Sequence, residues 1–122
     1  MKHFLLIDDD KDILELISDD LEDQGYKAST YDNAQEAIDS LYDDKPDLVI
    51  CDLMMPGISG FETFKVIKQV RPDIPFYIFS GHITPNVYKS LVDLGVTGIV
   101  EKPTATKDLL AVVEESYSLT HR

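Results

Sequence analysis

The chain has 122 residues, 11 of them Lys or Arg and 23 Asp or Glu, for a formal net charge of −12. That length suits one domain with one core, and a hydrophobic fraction of 43% is that of a globular chain and not a disordered one. The acidity excludes a nonspecific nucleic-acid binder, no apolar run approaches the roughly 18–20 residues of a membrane span, and the single Cys51 excludes an intrachain disulfide or a cysteine-rich zinc module.

The opening, Met1-Lys2-His3-Phe4-Leu5-Leu6-Ile7-Asp8, turns acidic too soon for a secretory signal, so a cytoplasmic location is expected. Residues 4–7 read as a buried strand, ending at Asp8-Asp9-Asp10. Ile13, Leu14, Ile17 and Leu21 then recur at helical spacing, and Gly25 follows where a left-handed residue closes a helix. A second strand covers 27–31, and Ala34, Ala37, Ile38 and Leu41 line a second helix. Pro46 precedes a third strand, 48–51, which ends at Asp52. Phe61, Phe64, Ile67 and Val70 form the next stripe, and Pro72 and Pro75 bracket the approach to a fourth strand, 76–79, ending at Ser80-Gly81. Val87, Leu91 and Leu94 precede Gly95; a fifth strand, 98–100, ends at Glu101-Lys102-Pro103. Leu109, Val112, Val113, Ser116 and Tyr117 line the last helix. Five strict alternations, with no linker and no internal repeat, predict one α/β domain over residues 1–122: a parallel sheet with helices on both faces.

In an open parallel sheet, ligands bind beyond the carboxyl ends of the strands. Those ends here carry Asp8, Asp9 and Asp10, then Asp52, then Ser80-Gly81, then Lys102. Carboxylates brought together repel unless a cation joins them, and a hard divalent ion such as magnesium suits a few carboxylates that leave room for water and phosphate oxygens. A carboxylate beside such an ion is also a nucleophile of the aspartyl-phosphate kind. The Lys102 ammonium and the Ser80 hydroxyl would then bind oxygens of the transferred group, and Gly81 would let the backbone approach it. The edge reads as a phosphoryl acceptor.

The residues at these four strand ends resemble the receiver domain of two-component response regulators, over essentially the whole chain. The resemblance is carried by Leu6-Ile7-Asp8-Asp9, by Val49-Ile50-Cys51-Asp52-Leu53-Met54-Met55-Pro56-Gly57, by Phe79-Ser80-Gly81 and by Val100-Glu101-Lys102-Pro103. It implies a flavodoxin-like (βα)5 fold with strand order 2-1-3-4-5. It further implies that Asp52 accepts the phosphoryl group from a phosphohistidine on a histidine kinase or phosphotransfer protein. Asp9, Asp52 and the backbone carbonyl of Met54 would bind Mg2+ or Mn2+ directly, with Asp8 acting through water. Lys102 would pair with the phosphoryl group, Ser80 would hydrogen-bond it and transmit the switch, and the Lys102–Pro103 peptide would be cis. The output would be a changed partner-binding face on the fourth helix, fifth strand and fifth helix. A downstream effector would read that face, the domain itself would bind neither nucleic acid nor membrane, and phosphorylation-linked homodimerisation is compatible with the pattern.

The sequence departs from the pattern at two places, Ile99 and Thr104. Ile99 stands where many receivers carry an aromatic switch residue, Thr104 follows Lys102-Pro103 where winged-helix regulators often have Phe, and Met54 and His82 occupy positions that tune loss of the phosphoryl group. Asp10 and Asp12 are read as helix-start residues. A calcium loop beginning at Asp8 fails, because Ile13 stands where glycine is needed and Asp19 where glutamate is. Two other functions fit parts of the pattern: a haloacid-dehalogenase-type phosphatase using Asp8 and Asp10, and a receiver that docks without being phosphorylated. Of the remaining residues, Cys51 is expected to pack as a small hydrophobe, Met54 and Met55 to cover the loop, and His3, His82 and His121 to be solvated.

Overall fold

Strand residues facing opposite ways are all apolar in the centre of this chain, and that dictates helices on both faces of the sheet. The computed structural model describes the backbone of residues 3–120 and the side chains of residues 3–117. Its elements are β1 (His3–Ile7), α1 (Lys11–Asp23), β2 (Lys27–Tyr31), α2 (Ala34–Ser40), β3 (Leu48–Cys51), α3 (Gly60–Val70), β4 (Phe76–Ser80), α4 (Pro85–Leu94), β5 (Gly98–Glu101) and α5 (Thr106–Thr120). The five strands form one parallel sheet in the order β2-β1-β3-β4-β5. This is the flavodoxin-like α/β fold, with β1 and β3 adjacent at its centre.

Period-two alternation sorts the core into two layers. Leu5, Ile7, Val49, Cys51, Phe76 and Ile78 face α2 and α3, where Ala37, Ile38, Phe64 and Ile67 meet them. Phe4, Leu6, Leu48, Ile50, Tyr77 and Phe79 face the other way, against Leu14, Ile17 and Leu21 of α1 and Leu109, Leu110 and Val113 of α5. The helices begin where capping chemistry starts them. Asp10, Asn33, Ser59 and Thr84 each accept a backbone N–H of the first turn. Gly25 and Gly95 take φ of +87° and +93° just past α1 and α4, as expected for helix ends.

Three expectations need correction. Val112 is exposed and Leu110 buried, because at about 100° per residue Leu109, Leu110, Val113 and Tyr117 share one sector of the helix and Val112 falls outside it. Val70, in the last turn of α3, is likewise exposed. His3 is not solvated: it starts β1, is only 8% exposed, and its Nε2 lies 2.7 Å from Ser29 Oγ and 3.4 Å from Asp44 Oδ2. His121 lies outside the described residues.

Candidate functional site

The ladder of the two central strands runs on past their ends and sets two aspartates side by side. Asp52 N–H donates to the Ile7 carbonyl at 2.9 Å, and Asp8 N–H donates to the Tyr31 carbonyl at 3.1 Å. The carboxylates are then held by parallel arrangements. Asp8 Oδ1 accepts the Asp10 N–H at 2.9 Å, and Asp52 Oδ1 accepts the Leu53 N–H at 2.7 Å. The other oxygen of each faces the Lys102 ammonium, at 2.7 Å for Asp8 and 3.5 Å for Asp52. Both aspartates are buried, at 4% and 7% exposure, whereas Asp9 is exposed. Oxygens of Asp8, Asp9 and Asp52 lie within 4.8 Å of one another, the one such group among the described residues.

Lys102 reaches this cluster from the far side of the sheet. Its peptide bond to Pro103 is cis, as expected. Its N–H donates to the Ser80 carbonyl at 2.8 Å, and its ammonium sits 5.5 Å over the Phe79 ring. Ser80 is the last residue of β4, paired with Glu101, and is buried. Asp8, Asp9, Asp52, Ser80 and Lys102 therefore lie at one edge of the sheet.

Burial pushes the Asp8 carboxyl above the usual carboxylate range and the facing Asp52 charge adds to that, while hydrogen bonds from Lys102 and the Asp10 N–H pull it back in part. Burial alone would lower the Lys102 ammonium, but its hydrogen bond to Asp8 and the charges of Asp8 and Asp52 outweigh burial and raise it, so it stays a cation at neutral pH. With all three carboxylates ionised, one ammonium leaves the cluster short of two positive charges. Hard oxygen donors with that deficit fit a divalent cation of the magnesium type.

Other residues take plainer roles. Asp10 caps α1 as expected, its Oδ1 accepting the N–H groups of Asp12 and Ile13 at 3.0 and 3.3 Å. Cys51 is fully buried, and burial followed by the charges of Asp52 and Asp8 pushes its thiol well above the ordinary value; it is an inert filler of the strand. Met55 packs on the core as expected, but Met54 does not cover the loop: its side chain is 66% exposed. Gly81 has only an ordinary 4.0 Å neighbour for an added Cβ.

The glycine that the site does require is Gly60, which sequence reasoning missed. A Cβ there would lie 2.6 Å from the Asp52 carbonyl oxygen and 2.8 Å from Leu53 Cα, and the Gly60 N–H donates to the Leu53 carbonyl at 2.8 Å. The first turn of α3 thus clamps the backbone beneath Asp52. Its only signal in the sequence is a glycine directly after the helix cap Ser59, a position where glycine is not otherwise demanded.

Comparison with known proteins bears on the same strand ends. The profile of the response regulator receiver domain matches residues 4–114. The response regulator SaeR of Staphylococcus aureus is 32% identical over 110 residues, covering 90% of this chain and 48% of the relative. The chain therefore spans about half the length of the curated relatives it matches. Among solved structures, the non-phosphorylated HemR receiver domain of Leptospira biflexa superposes with a TM-score of 0.91 at 26% identity, over 100% of this chain and 98% of that one. The chemotaxis response regulator CheY4 of Vibrio cholerae gives 0.87 at 26% identity, over 95% and 98%.

Proposed function

The chain belongs to the response regulator receiver domain family, and on that premise we propose that it is a cytoplasmic, phosphorylation-controlled switch with Asp52 as the acceptor. One observation carries the reading: Asp8, Asp9, Asp52, Ser80 and Lys102 lie together at the carboxyl edge, with Asp52 Oδ2 facing the Lys102 ammonium. That oxygen attacks the phosphorus of a phosphohistidine on a histidine kinase or phosphotransfer protein. The O–P bond forms as the N–P bond breaks, and the imidazole leaves with the electron pair.

Asp9, Asp52 and the Met54 carbonyl would hold Mg2+ or Mn2+ directly, with Asp8 through water. A bound ion supplies charge neutralisation between the carboxylates and the incoming phosphoryl oxygens. Lys102 turns from Asp8 toward the phosphoryl group, and Ser80 donates its hydroxyl to it. Movement of Ser80 shifts the loops after β3 and β4, and the face around α4, β5 and α5 changes for a downstream effector. The chain promotes its own phosphorylation and dephosphorylation and is not a turnover enzyme.

The donor would dock beside this edge. A groove of about 200 Å3 between α1 and the turn after β5 opens beside Lys102, lined by Ile13, Ile17, Phe79 and Pro103 and rimmed by exposed Leu16. The exposed flank of α1 carries Asp12, Glu15 and Asp19. An apolar side chain flanked by Lys or Arg on the donor complements both features.

Intact mass after incubation with phosphoramidate tests the acceptor. One magnesium-dependent phosphoryl adduct is expected on the wild type and none on Asp52→Asn. Stoichiometric labelling of that variant, or no adduct on the wild type under any condition, would overturn the assignment; the second result favours a docking module.

A further inference from the structure

β2 stands at one end of the sheet order, and among the described residues its outer edge pairs with no strand. No residue of β2 is fully buried, whereas every residue of β1, β3 and β4 is. The ladder fixes which of its groups face out. The Tyr31 carbonyl accepts the Asp8 N–H, so in the parallel pairing Lys27, Ser29 and Tyr31 turn their backbone groups to β1. Ala28 and Thr30 turn theirs the other way, and the N–H and C=O of each lie on the open edge.

A groove of about 370 Å3 opens beside the end of this strand. Thr30 and buried Leu14 line it, and its charged groups are Lys11 and Glu15 of α1, Asp32 just after β2 and Glu36 of α2. Lysines at a strand edge ordinarily repel an added strand, but here both are engaged. Lys11 Nζ lies 3.5 Å from Asp32 Oδ2, and Lys27 Nζ lies 3.9 Å from Asp44 Oδ1. Glu15 and Glu36 are exposed and are in no ion pair among the described residues. They stand on helices that cover opposite faces of the sheet, α1 on one and α2 on the other.

We propose that the outer edge of β2 is a docking site for an extended peptide segment carrying two adjacent Lys or Arg residues, which adds to the sheet as a sixth strand. Its backbone pairs with the N–H and C=O groups of Ala28 and Thr30, and that pairing supplies affinity without regard to sequence. Selectivity comes from the pleat. Successive side chains of a strand leave opposite faces, so two adjacent basic residues reach Glu15 on one side and Glu36 on the other. A second copy of this chain is a poor occupant, because two chains of net charge −12 would bring like carboxylates together. The groove shares no lining residue with the acidic pocket, so the inference does not depend on Asp52 being the phosphoacceptor.

Fluorescence anisotropy on the full chain tests this with a labelled hexapeptide of sequence Thr-Val-Lys-Lys-Val-Thr. The probe should bind. The same peptide with every backbone N–H methylated keeps its charge but loses its donors, and it should bind at least about tenfold more weakly. Exchanging its lysines for glutamates should weaken binding at least as much. Combining Glu15→Gln with Glu36→Gln in the protein should cost about fivefold in affinity. In 15N NMR spectra the amides of Ala28 and Thr30 should shift, and should exchange with solvent at least about tenfold more slowly when the probe is bound. Absence of binding at millimolar probe overturns the proposal. Equal binding of the methylated peptide also overturns it, since that is attraction to the acidic surface at large. Shifts confined to other elements, with Ala28 and Thr30 unmoved, do the same. A dimer that forms without probe and protects the Ala28 and Thr30 amides would assign the edge to a second copy and overturn the peptide.

Discussion

The ammonium of Lys102 lies 2.7 Å from Asp8 Oδ2 and 3.5 Å from Asp52 Oδ2, so the cation is committed to the aspartate that is not the proposed acceptor. Asp8 thereby holds the lysine in reach of Asp52 while leaving an acceptor oxygen outside its closest embrace. The arrangement ties the ends of β1 and β5 together across 94 residues of sequence.

Removing that cation should damage the switch more than the fold. Lys102→Ala leaves Asp8 and Asp52 facing each other, but the cost should stay below the about 3–5 kcal/mol of a fully buried broken pair, because Lys102 keeps some contact with solvent. Urea unfolding should give a folded, less stable protein whose phosphoramidate labelling falls at least about tenfold, roughly 1.4 kcal/mol in the barrier. A variant that does not fold would assign the lysine to structure.

Magnesium should stabilise the wild type and not Asp9→Asn. Asp9 is exposed, so its amide should alter the metal-free stability by no more than about 0.5 kcal/mol. A hundredfold excess of ion over its dissociation constant should add about 2.7 kcal/mol to the wild type. Thermal melts in chelator and in magnesium check both statements; equal shifts in the two proteins would remove Asp9 from the ligand set.

Gly60→Ala should cost about 1–3 kcal/mol, since the added methyl meets the backbone of Asp52 and Leu53 and no flexible side chain can give way. Phosphoryl labelling should fall with it, as Asp52 is displaced. The same substitution at Gly81, where the nearest atom is 4.0 Å from the new Cβ, should be mild by comparison.

Tyr77 gives the fold a dependence on alkaline pH. Burial raises its phenol above the ordinary value near 10.0, so the folded state favours the neutral form. That contribution is fully present below the unfolded value and is lost as pH rises past 10 toward the folded value. Tyr77→Phe should cost about 0.5–1.5 kcal/mol at pH 7, because Ser116 keeps bonds to its own helix, and should flatten the alkaline decline seen in urea midpoints. An unchanged decline would place its cause elsewhere.

Leu16→Glu should separate donor docking from chemistry. Leu16 is exposed at the groove beside Lys102, so stability should change little. Labelling by phosphoramidate should persist, whereas transfer from a phosphorylated histidine kinase should slow at least about tenfold. Equal rates from the kinase would exclude the α1 groove as its docking site.

Much of this molecule is legible in the residue order because two short-range regularities are strict. Apolar side chains on both faces of residues 48–51 and 76–79 can only be satisfied by a sheet covered twice, and the stripes of α1 and α3 supply the cover. The carboxyl-end rule then places Asp8, Asp52, Ser80 and Lys102 at one edge. Local capping chemistry likewise identified Asp10. The misreadings have a shared character. His3 looked terminal but opens a strand, and Val112 looked like a stripe residue but lies off the buried sector of α5.

Periodicity and strand-end chemistry are nearest-neighbour properties, so the sequence alone determined the fold class, the edge that carries the site and the residue types gathered there. Distances between residues far apart in the chain follow from strand order, twist and packing, and only the tertiary structure decided them. It decided that Lys102 sits closer to Asp8 than to Asp52, and that the start of α3 at Gly60 presses on the backbone of Asp52. It also decided that Tyr77 passes beside Gly98 to reach Ser116 of α5. Each of these is a close approach between atoms from separate elements, and close packing makes such approaches sensitive to fractions of an ångström that no residue pattern encodes.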